Sequence, residues 1–459
     1  MIRGLFRFLL NVLRMFVRAL DLVVRGVFYA LLIFGLGVLV SFFFHPEPEV
    51  PAGSALVLRP VGTIVEQAEL EPPLALLRAG GAPAGQMRLA DLVEAVRTAR
   101  DDARIAALVI ETDELVGGGF SKLAELRAAI ADFKASGKPV LARGERFTQS
   151  QYYLASVADE LHLSPDGFVL LRGLARYGTY FKDALDKLGV KVHVFRVGEY
   201  KSFSEPFTRS DMSDEDREAT RDLLDGLWRF MRDDIAASRK LAPAAIDAHV
   251  NDIRGALAAA GGDAAKAALA AGLVDRFSTR DEWRARLIEA VGTDHEGKDV
   301  RTIEAEAYLA LAADDTRHAA GSVAVIVAQG TIVDGAEPAG VVAGDTFARL
   351  IREAREDEDI KALVLRIDSP GGSAWASELI RRELELTRQA GKPVIASMSS
   401  VAASGGYWIA TGADEIWAAP STVTGSIGIF GLFPEFSEPL RRLGIGVDGV
   451  ATAPLAGAL

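Results

Sequence analysis

Cysteine is absent from the 459 residues of the sequence. This absence excludes disulfide bonds, thiolate nucleophiles and zinc sites built on cysteine, but it leaves the cellular compartment open. The chain has fewer basic than acidic residues, 51 lysines and arginines against 63 aspartates and glutamates, which gives a net charge of −12. Nucleic acid is therefore not an expected partner. Apolar residues form 49% of the chain and charged residues 25%, which indicates a globular protein, and the length predicts two or more domains.

Histidine is scarce: the chain has six, and none lies within 80 positions of Ser404. Ser404 stands in the segment VAASGGYWIA, where small residues precede it and two glycines follow. This pattern is typical of a nucleophilic serine at the start of a helix, although a serine that caps the helix would give the same pattern. A nucleophilic serine needs a base to take its proton, and no histidine is near in sequence. The histidines also lack ligand spacing, so no metal is expected.

The N-terminal region combines arginines with a long apolar run. Residues 1–25 carry arginines at spacings of four and seven, which predicts a basic amphipathic helix at a membrane interface. Residues 26–45 contain GVFYALLIFGLGVLVSFFF, nineteen residues without a charge, which is long enough for a transmembrane anchor. The arginines predict a cytoplasmic N-terminus, and residues 46–53 form a proline-rich tether. A cleaved signal peptide is the alternative, but SFFFHPEPEVP is a poor cleavage site.

Two long parts of the remaining chain resemble each other. RIAALVIETD at 104–113 matches DIKALVLRID at 359–368, and YYLASVADELHLSP at 152–165 matches YWIATGADEIWAAP at 407–420. Both pairs are offset by 255 positions, which predicts two whole domains rather than a solenoid. The expected domain boundaries are a first repeat over 54–300, a linker over 301–320 and a second repeat over 321–459.

Strands and helices alternate within each repeat, which predicts an α/β fold with a mostly parallel sheet. In the second repeat, apolar runs and helical spacing predict the following elements: strands at 361–367, 393–398 and 415–419, a helix at 373–390 and a helix beginning at Gly405. The region 205–296 is expected to be helical, with Ser213 as a capping residue.

The two repeats differ where chemistry is expected. The second repeat has DSPGGS at 368–373, a turn whose backbone N–H groups are suited to holding an oxyanion, and the first repeat lacks this turn. Ser404 falls opposite Gln149 in the first repeat, whereas Lys201 of the first repeat falls opposite Ala456. Each repeat therefore keeps one half of a site, and we expect a single composite site.

Lys201 is the expected base for Ser404. An amine acts as a base only after losing its proton, and burial favours the neutral form. Tyr200 and Phe203 are expected to help exclude water from the amine. Glu199 and Glu205 would oppose this effect, so both are expected to point away from it.

The remaining site residues are assigned by their segments. Ser426, in TVTGSIGIFG, is expected to orient the amine, with a simple turn as the alternative. Gly371, Gly372 and Gly405 are expected to form the oxyanion hole, with the N–H groups of Gly372 and Gly405 as donors, and a chain reversal without contact to the oxyanion is the alternative for Gly371 and Gly372. Three aromatic residues suit an apolar substrate pocket, although core packing explains them equally well: Trp375, Tyr407 and Trp408.

The segments SGGYW, SPGGS, TGSIG and YKS with EPF together resemble the signal peptide peptidase A family in its long, two-repeat form, over about residues 54–459. The resemblance implies a ClpP/crotonase-type fold, a Ser404/Lys201 dyad supported by Ser426, an oxyanion turn containing Gly371 and Gly372, and no cofactor. It also implies an anchor in the bacterial inner membrane with periplasmic catalytic domains, apolar remnant signal peptides as substrates, and a homo-oligomer, expected to be a tetramer. Members of the family carry a helical extension after the second repeat, so that repeat is expected to be incomplete here.

Two other functions stay open at this point. A crotonase-like acyl-CoA enzyme would use the same oxyanion geometry, but it would need a site for the CoA phosphates and has no use for a split serine–lysine pair. A catalytically impaired or truncated relative would serve only in membrane assembly. Labelling by a serine-directed reagent and binding of acyl-CoA distinguish these functions.

Overall fold

The computed structural model describes residues 15, 22, 25–37, 50–69, 85–312, 322–337, 340–453 and 456. Residues 25–37 are helical. Within the described part of the chain, no helix combines the length and the apolar character needed to cross a membrane. All six predicted segments lie partly outside the described residues: most of the basic helix 1–25, residues 38–45 of the anchor, 46–49 of the tether, 70–84 of the first repeat, 313–320 of the linker, and 321, 338–339, 454–455 and 457–459 of the second repeat.

Short strands begin at Ser54 and recur along the chain. The strands are β1 Ser54–Leu58, β2 Gly62–Val65, β3 Gln86–Arg88, β4 Ile105–Ile110, β5 Leu115–Gly117, β6 Val140–Gly144, β7 Glu160–Leu163, β8 Lys191–Arg196, β9 Arg276–Phe277, β10 Thr302–Glu304, β11 Ser322–Gln329, β12 Ile332–Val333, β13 Val342–Ala343, β14 Ile360–Ser369, β15 Val394–Ala403, β16 Glu415–Trp417, β17 Val423–Gly425 and β18 Phe430–Glu435.

Helices separate most of these strands. From residue 50 onwards they are α1 Leu89–Asp101, α2 Phe120–Ala135, α3 Gln149–Ala155, α4 Lys182–Leu188, α5 Glu205–Thr208, α6 Asp214–Arg239, α7 Pro243–Asn251, α8 Ile253–Ala259, α9 Ala264–Ala270, α10 Arg280–Val291, α11 Ala305–Ala312, α12 Gly344–Glu356, α13 Ala374–Gln389, α14 Gly405–Ala410 and α15 Ser437–Arg442.

Two parallel sheets organise the chain. The first has the order β10-β1-β4-β6-β7-β9, and the second has the order β11-β14-β15-β16, with β17 also paired to β15. This arrangement confirms the predicted α/β fold class. The order β1-β4-β6-β7 in one sheet has the same form as β11-β14-β15-β16 in the other. Val50–Leu459 forms one compact unit, and the predicted duplication and domain boundaries stay predictions.

Buried apolar runs explain why these strands lie at the centre. In β4, IAALVI is almost wholly buried, because both faces of a parallel strand are covered in an α/β fold. The elements predicted for the second repeat correspond to β14, α13, β15, α14 and β16, but β15 extends to Ala403 rather than ending at 398. Ser213 caps α6 as predicted, since its Oγ accepts a hydrogen bond from Asp216 N–H at 3.1 Å. The predicted helical region also contains the short strand β9, which pairs with β7.

A separate two-stranded sheet connects the two halves of the chain. Strand β8 pairs antiparallel with β18, with Arg196 opposite Phe430. The pairing continues beyond the strands, where Val197 N–H donates to Ile429 O at 3.0 Å. Because Lys201 follows β8 closely and Ser426 precedes β18 closely, this antiparallel pair places the two loops that carry them side by side.

Candidate active site

Ser404 lies in a sharp turn between β15 and α14. Its backbone has φ +53° and ψ −115°, a conformation that is strained for a residue with a side chain. The turn is held by Ser404 N–H donating to Gly425 O at 2.8 Å and by Trp408 N–H donating to Ser404 O at 2.9 Å. Ser404 occupies the N-cap position of α14, but its side chain makes no capping hydrogen bond to the helix.

The hydroxyl of Ser404 is directed instead at Lys201. The distance from Lys201 Nζ to Ser404 Oγ is 2.9 Å, and both residues belong to the same chain. The same Nζ lies 2.7 Å from the backbone oxygen of Ser426 and 3.1 Å from its Oγ. The structure therefore brings together the three side chains that were predicted from separate segments.

Lys201 is only 5% exposed, and burial lowers the pKa of its amine. The side chains predicted to exclude water, Tyr200 and Phe203, are themselves more than half exposed, so that part of the prediction is wrong. The backbone encloses the lysine instead: a Cβ atom added at Gly198 or Gly428 would lie 3.6 or 3.7 Å from Lys201 Cβ.

The carboxylate of Glu205 points away from the amine, as predicted. Its two oxygens accept hydrogen bonds from Ser213, one from the N–H at 3.1 Å and one from Oγ at 2.6 Å. Arg196 Nη1 lies 3.8 Å from Glu205 and also donates to the backbone oxygen of Lys201 at 3.2 Å. Arg196 was missed at the sequence level, although it stands five residues before Lys201. Arg196 fixes the loop of Lys201 through its hydrogen bond to that backbone oxygen, and its positive charge offsets the negative charge of Glu205.

Gly371 and Gly372 form the turn that faces Ser404. Their φ angles are +97° and +155°, and a Cβ at Gly372 would lie 2.0 Å from Ile332 O, so no side chain fits there. Gly371 N–H donates to Ser369 Oγ at 3.2 Å and is thus occupied. Among the described residues, no acceptor is found for the N–H groups of Gly372 and Gly405. Both N–H groups are therefore available as donors, and their role in binding an oxyanion stays a prediction.

A cavity of about 730 Å³ opens beside the lysine and the serine. Its lining includes Tyr407 and Trp408, as predicted, but not Trp375, which is 74% exposed. Further apolar lining residues come from β18 and from the loops next to β8 and β18: Val197, Ile427, Ile429 and Phe430. A deep apolar cavity with a few polar groups at one end is typical of a substrate site.

Comparison with known proteins shows the family of the chain. The model of Peptidase family S49 matches residues 132–294 and 387–459. "Protease 4" of Salmonella typhi is 42% identical over 460 residues, covering 99% of this chain and 74% of the relative. "Protease 4" of Haemophilus influenzae is 41% identical over 80% of this chain and 60% of its own length. "Serine protease SPPA, chloroplastic" of Arabidopsis thaliana is 31% identical over 84% of this chain and 55% of its own length.

Solved structures give a more distant likeness. An enoyl-CoA hydratase from Mycobacterium avium subsp. paratuberculosis K-10 is 18% identical and covers 49% of this chain and 69% of its own, with a TM-score of 0.22. The family model and the relatives, by contrast, define a serine-type protease. The chain belongs to Peptidase family S49.

Proposed function

We propose that the chain is a serine endopeptidase with a Ser/Lys dyad, in which Ser404 is the nucleophile, Lys201 is the general base and Ser426 orients the amine. The observation that carries this proposal is the 2.9 Å distance between Lys201 Nζ and Ser404 Oγ at the cavity. The lowered pKa of Lys201 supports it, because a base must spend part of its time uncharged.

The contacts of the amine match the needs of a neutral base. A neutral amine has two N–H donors and one lone pair. Three oxygens lie within hydrogen-bond distance of Nζ: Ser404 Oγ and the backbone and hydroxyl oxygens of Ser426. In the reactive form that we propose, the neutral amine donates its two N–H groups to the Ser426 oxygens, and its lone pair accepts the proton of Ser404. As that proton moves to Lys201, Ser404 Oγ attacks the carbonyl carbon of the peptide, and the ammonium then protonates the departing amine. Water hydrolyses the acyl-enzyme with Lys201 again as the base, and the serine hydroxyl is restored.

The developing oxyanion is placed against Gly372 N–H and Gly405 N–H. Both donors are held in position before the reaction, the first by a turn in which no side chain fits and the second by the first turn of α14. Preorganised donors of this kind typically contribute about a hundredfold to a thousandfold to the rate. Gly371 shapes the turn through its bond to Ser369 and does not face the substrate.

The proposal extends to substrate, location and assembly. The apolar lining of the cavity supports apolar peptides, such as remnant signal peptides, as substrates. The uncharged run in 26–45 supports a single-pass anchor in the bacterial inner membrane, with a cytoplasmic N-terminus and periplasmic catalytic domains. The matching segments at a 255-residue offset and the shared strand order support a tandem duplication of a ClpP/crotonase-type unit. A homo-tetramer is proposed on the family resemblance.

Labelling with a fluorophosphonate, which bonds covalently to an activated serine, tests the proposal. The wild-type chain is expected to react at Ser404, and Ser404→Ala is expected not to react. Lys201→Met is expected to stay folded and to react slower by a factor of about a thousand or more, since the serine then lacks its base. Lys182→Met is the matched control, because Lys182 is an exposed lysine of the same half that pairs with Asp186.

Three outcomes would count against this function. Equal labelling of wild type and Lys201→Met would remove the lysine from the mechanism. A folded wild-type chain that neither reacts nor cleaves apolar peptides would favour the assembly protein. Saturable binding of acyl-CoA in this cavity would favour the crotonase-like enzyme, for which the Lys201–Ser404 contact has no use.

A further inference from the structure

Strand β15 bulges shortly before Ser404. Its register against β14 shifts between Ile367 and Ser369, so β15 carries extra residues across this interval. A bulge removes backbone N–H groups from the ladder, and a buried N–H needs another acceptor. The N–H of Val401, within the bulge, donates to Asp368 Oδ1 at 3.0 Å. A side chain of β14 thus takes the place of the missing strand partner.

The second carboxylate oxygen of Asp368 is bound by the ammonium group of Lys122, which comes from α2 in the first half of the chain. The two side chains are only 6% and 13% exposed. Lys122 also contacts the bulge through its backbone, because its N–H donates to Ser400 Oγ at 3.4 Å. A residue of the first half therefore reaches the strand that carries the nucleophile at a place separate from Lys201.

Asp368 is connected to the oxyanion turn as well. It immediately precedes Ser369, whose Oγ accepts the N–H of Gly371. The backbone oxygen of Asp368 accepts the N–H of Gly330 at 3.0 Å. The side chain of Asp368 thus holds β15, the strand that leads to Ser404, and Asp368 is also the residue from which the chain enters the glycine turn.

We propose that Lys122 and Asp368 are positioning residues that set the distance between the Ser404 hydroxyl and the oxyanion donors. This inference rests on the proposed function. Neither side chain lines the cavity, so both act through the bulge and the turn and not on the substrate. Lys122 neutralises the carboxylate, which lets a charged acceptor stay buried at the bulge.

The expected effect is on the rate at which Ser404 reacts. Displacements of about 1 Å between reacting groups typically cost up to about a hundredfold in rate. We expect Lys122→Met and Asp368→Asn each to slow fluorophosphonate labelling of Ser404 by about tenfold to a hundredfold. Asparagine keeps an acceptor for Val401 N–H but loses the ion pair. Lys122→Arg keeps the charge and is expected to recover most of the rate.

The measurement is the labelling rate constant over a range of pH, together with the final stoichiometry of labelling. A positioning role predicts a lower rate at every pH, an unchanged pH midpoint and full final stoichiometry, because the amine of Lys201 keeps its surroundings. Lys134→Met is the matched control: Lys134 lies in the same helix and pairs with Asp159, but the two side chains are 34% and 40% exposed and do not contact β15. It is expected to react like wild type.

Wild-type rates in folded Lys122→Met and Asp368→Asn would overturn the positioning role. If Lys122→Met does not fold, the double variant Lys122→Met with Asp368→Asn takes its place, because it buries no unpaired charge. A labelling rate slower than wild type in this double variant supports the positioning role, and a wild-type rate overturns it. A wild-type chain that does not label at all contradicts the proposed function and this inference together. Labelling of the wild type with unaffected variants contradicts the inference alone.

Discussion

Replacing Ser426 by aspartate is the sharpest perturbation of the proposed base. Ser426 Oγ lies 3.1 Å from Lys201 Nζ, so a carboxylate at this position would sit about 3 to 4 Å from the amine. An opposite charge favours the ammonium form and raises the pKa of Lys201, whereas burial alone lowers it. Ser426→Asp should therefore reduce the fraction of Lys201 in the neutral form, which is the form that the proposed mechanism needs as its base.

The size of the effect follows from the distance. At 4 Å and an effective dielectric constant of 20, two unit charges interact by about 4 kcal/mol. Near the open cavity we expect a smaller value, which corresponds to about a hundredfold to a thousandfold less neutral amine. Activity should fall by this factor at pH 7 and recover as the pH is raised, since the base is active only above its pKa.

The assay is the pH dependence of fluorophosphonate labelling, with Ser426→Asn as the matched control. The backbone of Ser426 has φ +51°, which asparagine and aspartate tolerate better than most residues, so both variants should keep the turn. Asparagine has the shape of aspartate without its charge. If the acidic limb of the Asp variant coincides with that of the Asn variant, the titrating base is not Lys201.

Three further predictions concern the turn, the cavity and stability. Gly372→Ala puts a Cβ 2.0 Å from Ile332 O, so the turn must move, and the labelling rate should fall by about a hundredfold or more; an unchanged rate would exclude this turn from the reaction. Trp408→Ala should raise KM for apolar peptides and leave the labelling rate by the small reagent nearly unchanged, because Trp408 lines the cavity without contacting the amine; an unchanged KM would place the substrate elsewhere. Asp102→Asn should lower the free energy of unfolding by about 1 to 2 kcal/mol at pH 7, because the hydrogen bond from Arg104 lowers the pKa of Asp102 to about 2.

The stabilising effect of the Asp102 carboxylate depends on pH. A carboxylate with a lowered pKa stabilises the folded chain above its ordinary pKa of about 4, and this stabilisation is lost as the pH falls through about 2. Chemical denaturation at pH 7 and at pH 2 should therefore show a difference between wild type and Asp102→Asn that is much smaller in acid. A difference that persists in full at pH 2 would point to a role of the side chain other than its charge.

Much of the second sheet and the central residues of the site could be predicted because their signals are local. The run KALVLRI and the helical spacing after it correspond to β14 and α13, since periodicity reflects burial of neighbouring residues. The pairing of Lys201 with Ser404 was predicted from what each repeat lacks, and the structure places the two groups in contact.

The features that could not be predicted depend on contacts between residues that are distant in sequence. The antiparallel pairing of β8 with β18 leaves no periodic signal, yet it brings the loops of Lys201 and Ser426 together. The bond from Lys122 to Asp368 spans 246 positions for the same reason. Desolvation of Lys201 was assigned to its aromatic neighbours in sequence, but the enclosing groups are the backbone of Gly198 and a loop more than two hundred residues away.

The contact between Lys201 and Ser404 joins residues 203 positions apart. A nascent chain exposes the amine of Lys201 long before the hydroxyl of Ser404 has been synthesised, and the strand pair that places the loops of Lys201 and Ser426 side by side needs β18, which follows Ser404 in the chain. Contacts of such high sequence separation form late and slowly. Under the proposed mechanism, a chain that has not yet been synthesised as far as Ser404 therefore lacks the reactive pair, and the order of the two residues along the chain keeps it inactive during synthesis.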